Sequence, residues 1–285
     1  IETNRGAHAA QGRIGHAGGT ESTCAFLGRA PRTERADVAA PRRERGRDRR
    51  PQGDVPRAAR HPAKLSRCYI RRMLALYGFG RVNKIARGNT RDLRVLWALE
   101  EMALPFEIKG IDHPAHELDT PEFRAMNPFG QLPVIDDDGV VISESGAILI
   151  YLARKSGKLI PPDLGGEGQV LRWSFASLTT LEWPLMSILF MDFMGKEKHA
   201  AWREWMVQLA HRQLSRLESW LDGRTWIATD ELTVADILLA HVLFVNRDDS
   251  LLAPYPRVLA YRDRCKARPA WQRIYEAYCE RVEAA

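Results

Sequence analysis

Glu144-Ser145 stands at the head of an apolar stretch, and a Gln131-Leu132-Pro133 step precedes it. These residue types, in this order, suit a small zwitterion. A helix N-terminus offers unpaired N–H groups and partial positive charge, so together with the Ser145 hydroxyl it favours a carboxylate. The Glu144 carboxylate can hold an ammonium group beside it. The plain alternative is that either residue only caps the helix, a task both suit. Gln131 can reach a second carboxylate or lie in a solvated turn. Pro133 can equally be an ordinary trans proline opening a strand.

Such residues need a frame of alternating strand and helix, and the pattern from Leu74 to about Ser156 supplies it. Leu74 and Leu76 alternate as a first strand running to Phe79. Val95, Leu99, Met102 and Ala103 recur at helical spacing and stop before Pro105. Phe106 and Ile108 mark a second strand. Thr120-Pro121 reads as a helix N-cap followed by proline at the first helical position. Asn127-Pro128-Phe129-Gly130 is a turn cluster, and Asp137-Asp138-Gly139 joins Leu132-Pro133-Val134-Ile135 to Val140-Val141-Ile142 as a hairpin. Ala147 to Leu152 is apolar nearly all round, hence a buried helix. The order is β-α-β-α-β-β-α.

Beyond about Gly168 no strand pattern stands out. Leu178, Leu181, Leu185, Ile188 and Leu189 form a helical stripe that Pro184 is expected to kink. Trp202, Trp205, Met206, Leu209, Leu217 and Trp220 mark a long helix stopped at Asp222-Gly223. Thr233-Val234-Ala235-Asp236 fits a capping box, a folding device rather than a chemical one. The expected organisation is an α/β domain over 73–156, a Pro/Gly linker over 157–167 and an all-helical domain over 168–285.

Charge separates off the remaining segment. Residues 1–72 hold 17 basic and seven acidic side chains, leaving 25 basic and 29 acidic in the rest of a chain whose net charge is +6. The basic balance is therefore local, and a nucleic-acid role read from the whole chain is an artefact of averaging. Phe26 and Tyr69 are the only aromatics among those arginines, too few for a stacking surface. Seven acids and two serines do not suit a transit peptide, and no apolar core of a secretory signal is present. The segment reads as a disordered Arg-rich extension, or as an over-extended reading frame before Met73. No eighteen-residue apolar run indicates a membrane span, and Cys24, Cys68, Cys265 and Cys279 show no metal or redox spacing. A cytoplasmic setting fits. Gly78-Phe79-Gly80 lacks the third glycine of a dinucleotide loop, and Asp136-Asp137-Asp138 is hairpin chemistry rather than a metal site.

Residues 73–285 resemble the glutathione S-transferase family. The resemblance rests on Arg94-Val95-Leu96-Trp97-Ala98-Leu99-Glu100-Glu101 before Leu104-Pro105-Phe106-Glu107, on Asn127 through Ile135, on Ser143-Glu144-Ser145-Gly146-Ala147-Ile148, and on Leu232-Thr233-Val234-Ala235-Asp236. It implies a thioredoxin-like α/β domain followed by an all-α domain, with glutathione as co-substrate and no metal. Pro133 would then be cis, letting the Leu132 backbone pair with an extended peptide. Glu144 and Ser145 would hold its γ-glutamyl end and Gln131 its glycyl carboxylate. A homodimer and a detoxifying transfer of glutathione to a small hydrophobic electrophile follow from the same resemblance, with a non-catalytic binding or regulatory member as the alternative.

The thiol must ionise near neutral pH from about 8.5. The serine-type pattern points to Thr90 as the donor that stabilises the thiolate, with Arg91 adding charge. The loop from Gly80 to Asn89 is longer than the family's usual one, so Asn89, Asn83 or Tyr77 are alternatives, and Thr90 equally suits an N-cap. Trp173, Trp183, Met186 and Phe190 are expected walls for the electrophile, or simply core.

Overall fold

The computed structural model describes residues 73–244 and 249–284. The Arg-rich segment, 1–72, and its expected disorder lie outside the described residues.

Strand β1 (Leu74–Val82) runs parallel to β2 (Phe106–Asp112) and antiparallel to β3 (Val134–Asp137), which forms a hairpin with β4 (Val140–Ser143). The sheet order is β2-β1-β3-β4. Helix α1 (Asp92–Met102) makes the crossover that a parallel pair requires. Short α2 (Pro121–Met126) begins where Thr120 Oγ1 accepts from the Phe123 N–H at 3.3 Å, with Pro121 at its first position. Helix α3 (Ser145–Ser156) packs beside α1, with Leu93, Ile148 and Leu149 fully buried, while buried Trp97 of α1 packs against Phe244 and Trp271. Each such side chain contributes roughly 1.5–3 kcal/mol by leaving water.

The second part is helical. Helix α4 (Leu164–Phe175) passes through a π-helical turn, Ala176–Leu181, into α5 (Glu182–Met194). The expected disturbance at Pro184 is thus found just upstream of it. Proline has no N–H for the carbonyl one turn back and crowds it, and a wider turn relieves both. Helices α6 (Ala200–Trp220), α7 (Val234–Phe244), α8 (Pro256–Lys266) and α9 (Pro269–Arg281) follow. Every residue of α7 is buried, so it forms the centre of this layer. Its start is tied by Asp236, which accepts from the N–H groups of Thr233 and Ile227 (2.8 Å each) and from the Tyr261 hydroxyl (2.8 Å).

Two boundaries differ from the pattern reading. Strand β1 continues past Phe79 to Val82, and a two-residue strand β5 (Glu283–Ala284) pairs parallel with Arg81 and Val82. The C-terminal region is therefore not wholly helical: its last described residues join the sheet of the first domain. Residues expected to be loop are strand here because Arg81 pairs with Asp112 of β2 and Glu283 of β5, and Val82 with Ala284 of β5.

Candidate functional site

The turn before β3 is built by one side chain. Buried Asn127 donates from Nδ2 to the Gln131 carbonyl (2.8 Å) and accepts at Oδ1 from the Phe129 N–H (3.1 Å). Gly130, at φ +59, completes it; a Cβ there would lie 3.1 Å from the Leu118 carbonyl oxygen. The chain leaves this turn through Leu132-Pro133, whose peptide bond is cis. The hairpin then reverses at Asp138 and Gly139, both at positive φ, with Asp136 Oδ1 accepting from the Gly139 N–H (2.8 Å). Its register sets Ser143 opposite Val134. Glu144 and Ser145 thereby arrive beside Leu132 and Pro133.

Glu144 occupies φ +69, ψ +112 and makes no capping hydrogen bond. A non-glycine residue in that region costs of order 1–3 kcal/mol, a strain often kept at ligand sites. Ser145 is buried, and its Oγ accepts from Arg94 Nη1 at 3.1 Å. With one lone pair so used, the hydroxyl keeps its proton for a further acceptor.

Arg94 is the hub of this site. Its side chain is 1 % exposed; Nε donates to His241 Nδ1 (3.1 Å) and Nη2 to Glu182 Oε1 (3.0 Å). The same Glu182 oxygen accepts from Arg91 Nε and Nη2 at 3.0 and 2.9 Å. Burial pushes the Arg94 guanidinium below its usual range, opposed by the Glu182 charge. Burial, then the Arg94 charge, holds His241 well below the ordinary imidazole value. Neutral His241 accepts at Nδ1 and donates from Nε2 to the Thr90 carbonyl (3.1 Å), which joins α7 to the start of α1.

These groups surround a cavity of about 310 Å³, lined by Arg91, Arg94, Asn127, Gln131, Leu132, Pro133, Glu144, Ser145, Leu178 and Glu182. The structure thus gathers Gln131, Leu132, Pro133, Glu144 and Ser145 at one place. Its far wall is the π-helical turn: a Cβ on Gly146 would meet Leu178 Cδ1 at 2.8 Å.

Thr90 and Asn89 are not brought there. Thr90 is buried, and its Oγ1 donates to Tyr278 Oη of α9 at 2.7 Å. Burial, then the charge of buried Asp92, pushes Tyr278 up to about 12, which keeps it a neutral partner. Asn89 borders a different cavity. Tyr77 is half-buried in β1 and packs with the cluster around Leu132 and Val134, while Asn83 opens an exposed turn. Within the β1–α1 loop it is Arg91, about half exposed, that faces the first cavity.

The expected wall residues also fall elsewhere. Trp173 packs on Trp220 (5.1 Å between centroids), Trp183 meets Trp205 edge-on, and Phe190 is exposed. Met186 lies one turn beyond Glu182 and is half-buried. Pattern reading gave Asn127 only a turn and Leu178 only a place on a helical stripe, assigned nothing to Glu182 or His241 and used Arg94 only as a landmark. A trace was available: Arg94 and Glu182 are charges set within apolar helical stripes.

A mixed sheet with a cis-proline before β3, followed by a helical layer that walls the same cavity, defines a thioredoxin-like α/β domain joined to an α-helical domain. Residues 85–154 match the N-terminal domain of glutathione S-transferases and residues 181–269 match the C-terminal domain. The chain is similar to glutathione S-transferase 4 of Zea mays, 29 % identical over 194 residues that span 64 % of this chain and 85 % of that protein. It is 31 % identical over 166 residues to hematopoietic prostaglandin D synthase of Gallus gallus, spanning 57 % of this chain and 80 % of that one. A glutathione transferase from Burkholderia graminis, solved with two glutathione molecules bound per subunit, superposes with a TM-score of 0.63 at 31 % identity, covering 72 % of this chain and 88 % of its own. The protein belongs to the glutathione S-transferase family.

Proposed function

We propose that the protein is a glutathione transferase and that the first cavity holds glutathione. The carrying observation is the hairpin register, which sets the strained Glu144 and the Arg94-anchored Ser145 beside the cis Leu132-Pro133 peptide. The γ-glutamyl carboxylate accepts from the Ser145 hydroxyl at the N-terminus of α3, and its ammonium group pairs with Glu144. The cysteinyl unit pairs with the Leu132 backbone like an added strand, and the glycyl carboxylate reaches Gln131. The related Burkholderia graminis enzyme holding glutathione supports this reading.

The sulfur then lies toward the start of α1. Thr90 hydrogen-bonds to Tyr278 instead of facing the cavity, so the Arg91 guanidinium and the N-terminus of α1 are the groups that favour the thiolate. Its proton passes to solvent. The sulfur lone pair forms the new S–C bond to a small hydrophobic electrophile, whose leaving group departs with the bonding pair. Leu178 supplies apolar surface for that partner. The same reading carries a detoxifying role, a cytoplasmic setting and a two-fold homodimer. Exposed Val140, Val141 and Leu164 are surfaces that such pairing could cover.

Calorimetric titration of glutathione into the full chain tests the site, and conjugation to a nitro-activated aryl halide tests the chemistry. Micromolar to millimolar binding with turnover is expected. Binding without turnover on any electrophile class would favour the non-catalytic member, and no binding to the folded protein would remove the glutathione assignment.

A further inference from the structure

Strand β1 changes partners along one edge. There β3 pairs with Ala75, Leu76 and Tyr77, β5 pairs with Arg81 and Val82, and between them Phe79 is held by side chains. Asp92 Oδ2 accepts from the Phe79 N–H at 2.9 Å, and Arg281 Nη1 donates to the Phe79 carbonyl at 2.6 Å. Asp92 opens α1 and Arg281 closes α9. Gly78 makes room for the carboxylate: a Cβ there would stand 2.8 Å from Asp92 Oδ2.

Capping Phe79 does not by itself call for these residue types. Asp92 is fully buried, and its Oδ1 has no hydrogen-bond partner among the described residues; neither has the buried Arg281 Nη2. A neutral amide pair could take both Phe79 groups, and an unpartnered polar atom in the interior is costly and uncommon. Burial pushes the Asp92 carboxyl up, and the Arg281 charge is among the influences that oppose it. Other polar and charged groups surround the place. Tyr278 of α9 is bound to Thr90, Arg91 and Arg94 are paired with Glu182 of α5, and His241 of α7 stands neutral on the Thr90 carbonyl.

We propose that Arg281 is a positioning residue for the transfer reaction: by balancing Asp92 and holding Phe79, it keeps the first turn of α1 ready for the glutathione thiolate. The proposal rests on the glutathione reading above and extends it to the end of α9. Arg91 lines the first cavity, and Asp92 follows it directly in the chain. A carboxylate in that turn draws on the same partial positive charge that a thiolate at the helix end needs. Left unbalanced, it disfavours a second anion beside it. Arg281 touches neither substrate; it acts through Asp92 and the end of β1.

The test uses the full chain and glutathione, with affinity read by calorimetry and ionisation of the bound thiol read by thiolate ultraviolet absorbance against pH. Arg281→Met is expected to leave affinity within about threefold, since Leu132, Glu144 and Ser145 are untouched, and to make the thiol ionise about tenfold less readily. Arg281→Lys keeps a charge and an N–H donor and is expected to restore most of that loss. Adding Asp92→Asn to Arg281→Met is expected to restore it too, because the unbalanced carboxylate is gone. Should Arg281→Met not fold, Arg281→Gln keeps a donor for Phe79 and carries the same comparison. Lower stability with unchanged thiol ionisation would make Arg281 a purely structural residue and overturn the proposal. So would a loss of equal size with and without Asp92. Either result, with glutathione bound, overturns this proposal alone. No binding to the folded, unaltered chain would overturn it together with the glutathione reading.

Discussion

The two sides of the first cavity are held in different ways. On the Asn127–Ser145 side the bonds that shape the backbone are local, Asn127 clamping its own turn and Asp136 closing its own hairpin, with Ser145 alone held from farther off, by Arg94 at a separation of 51 residues. On the side of the β1–α1 loop and α1 they are remote: Thr90 is held by Tyr278 at a separation of 188 residues, Arg94 by His241 at 147 and Arg91 by Glu182 at 91. A wall fixed by its neighbours keeps its shape when distant packing loosens. A wall fixed from afar has a shape only in the complete fold. The Asn127–Ser145 side is thus the more self-contained one, and the α1 side is the one that changes elsewhere in the protein can tune.

The largest way to break this contrast is Arg94→Met. It leaves buried Glu182 and the Ser145 hydroxyl short of a partner, and a loss of about 3–5 kcal/mol in denaturant unfolding is expected. A loss under about 1 kcal/mol would mean that the remote side does not depend on this hub. Next comes Ser145→Ala, which should weaken glutathione binding by roughly tenfold or more while far-ultraviolet dichroism stays unchanged, since a hydrogen bond to a carboxylate is lost. Equal affinity would move the γ-glutamyl end elsewhere.

Thr90→Val sharpens the comparison at smaller scale. Losing the bond to Tyr278 should cost about 1 kcal/mol of stability and leave turnover at saturating glutathione within about twofold. A drop of about a hundredfold at unchanged glutathione affinity would instead return Thr90 to the thiolate. The smallest effect is in pH. His241 is held neutral below its ordinary 6.5 in the folded protein, so between that lowered value and 6.5 the unfolded chain binds the extra proton. Stability should therefore fall as pH drops below 6.5, and His241→Asn should flatten that part of the unfolding profile. An unchanged slope in the variant would assign the acid sensitivity to other groups.

What the amino-acid order revealed follows the same division. The hairpin, the turn at Asn127 and the meeting of Leu132 with Ser145 are written in glycine, proline and alternation over a few residues, so they were legible. The family resemblance carried the cis-proline. Thr90 was placed by the resemblance, through its offset from Arg94, and that offset carries no trace of Tyr278, which decides where its hydroxyl points. Glu182 was hidden because its partners Arg91 and Arg94 lie on another domain's helix. Met186 and Phe190 lie further along the same helical segment, and it is Leu178 of the π-helical turn that lines the first cavity. Strand β5 has no pattern of its own: Glu283-Ala284 is a strand only because Arg81 and Val82 are there to pair with it.

That last pairing has a consequence for how the protein is made. Arg281 Nη1 donates to the Phe79 carbonyl across 202 positions, next to the β5 pairing. During synthesis the first sheet can form its β1–β2 and β1–β3 ladders early, yet the second edge of β1 at Arg81 and Val82 waits for β5, some two hundred residues later. The nascent chain would emerge with the Asn127 turn and the β3–β4 hairpin already made and the last strand pairing still to come.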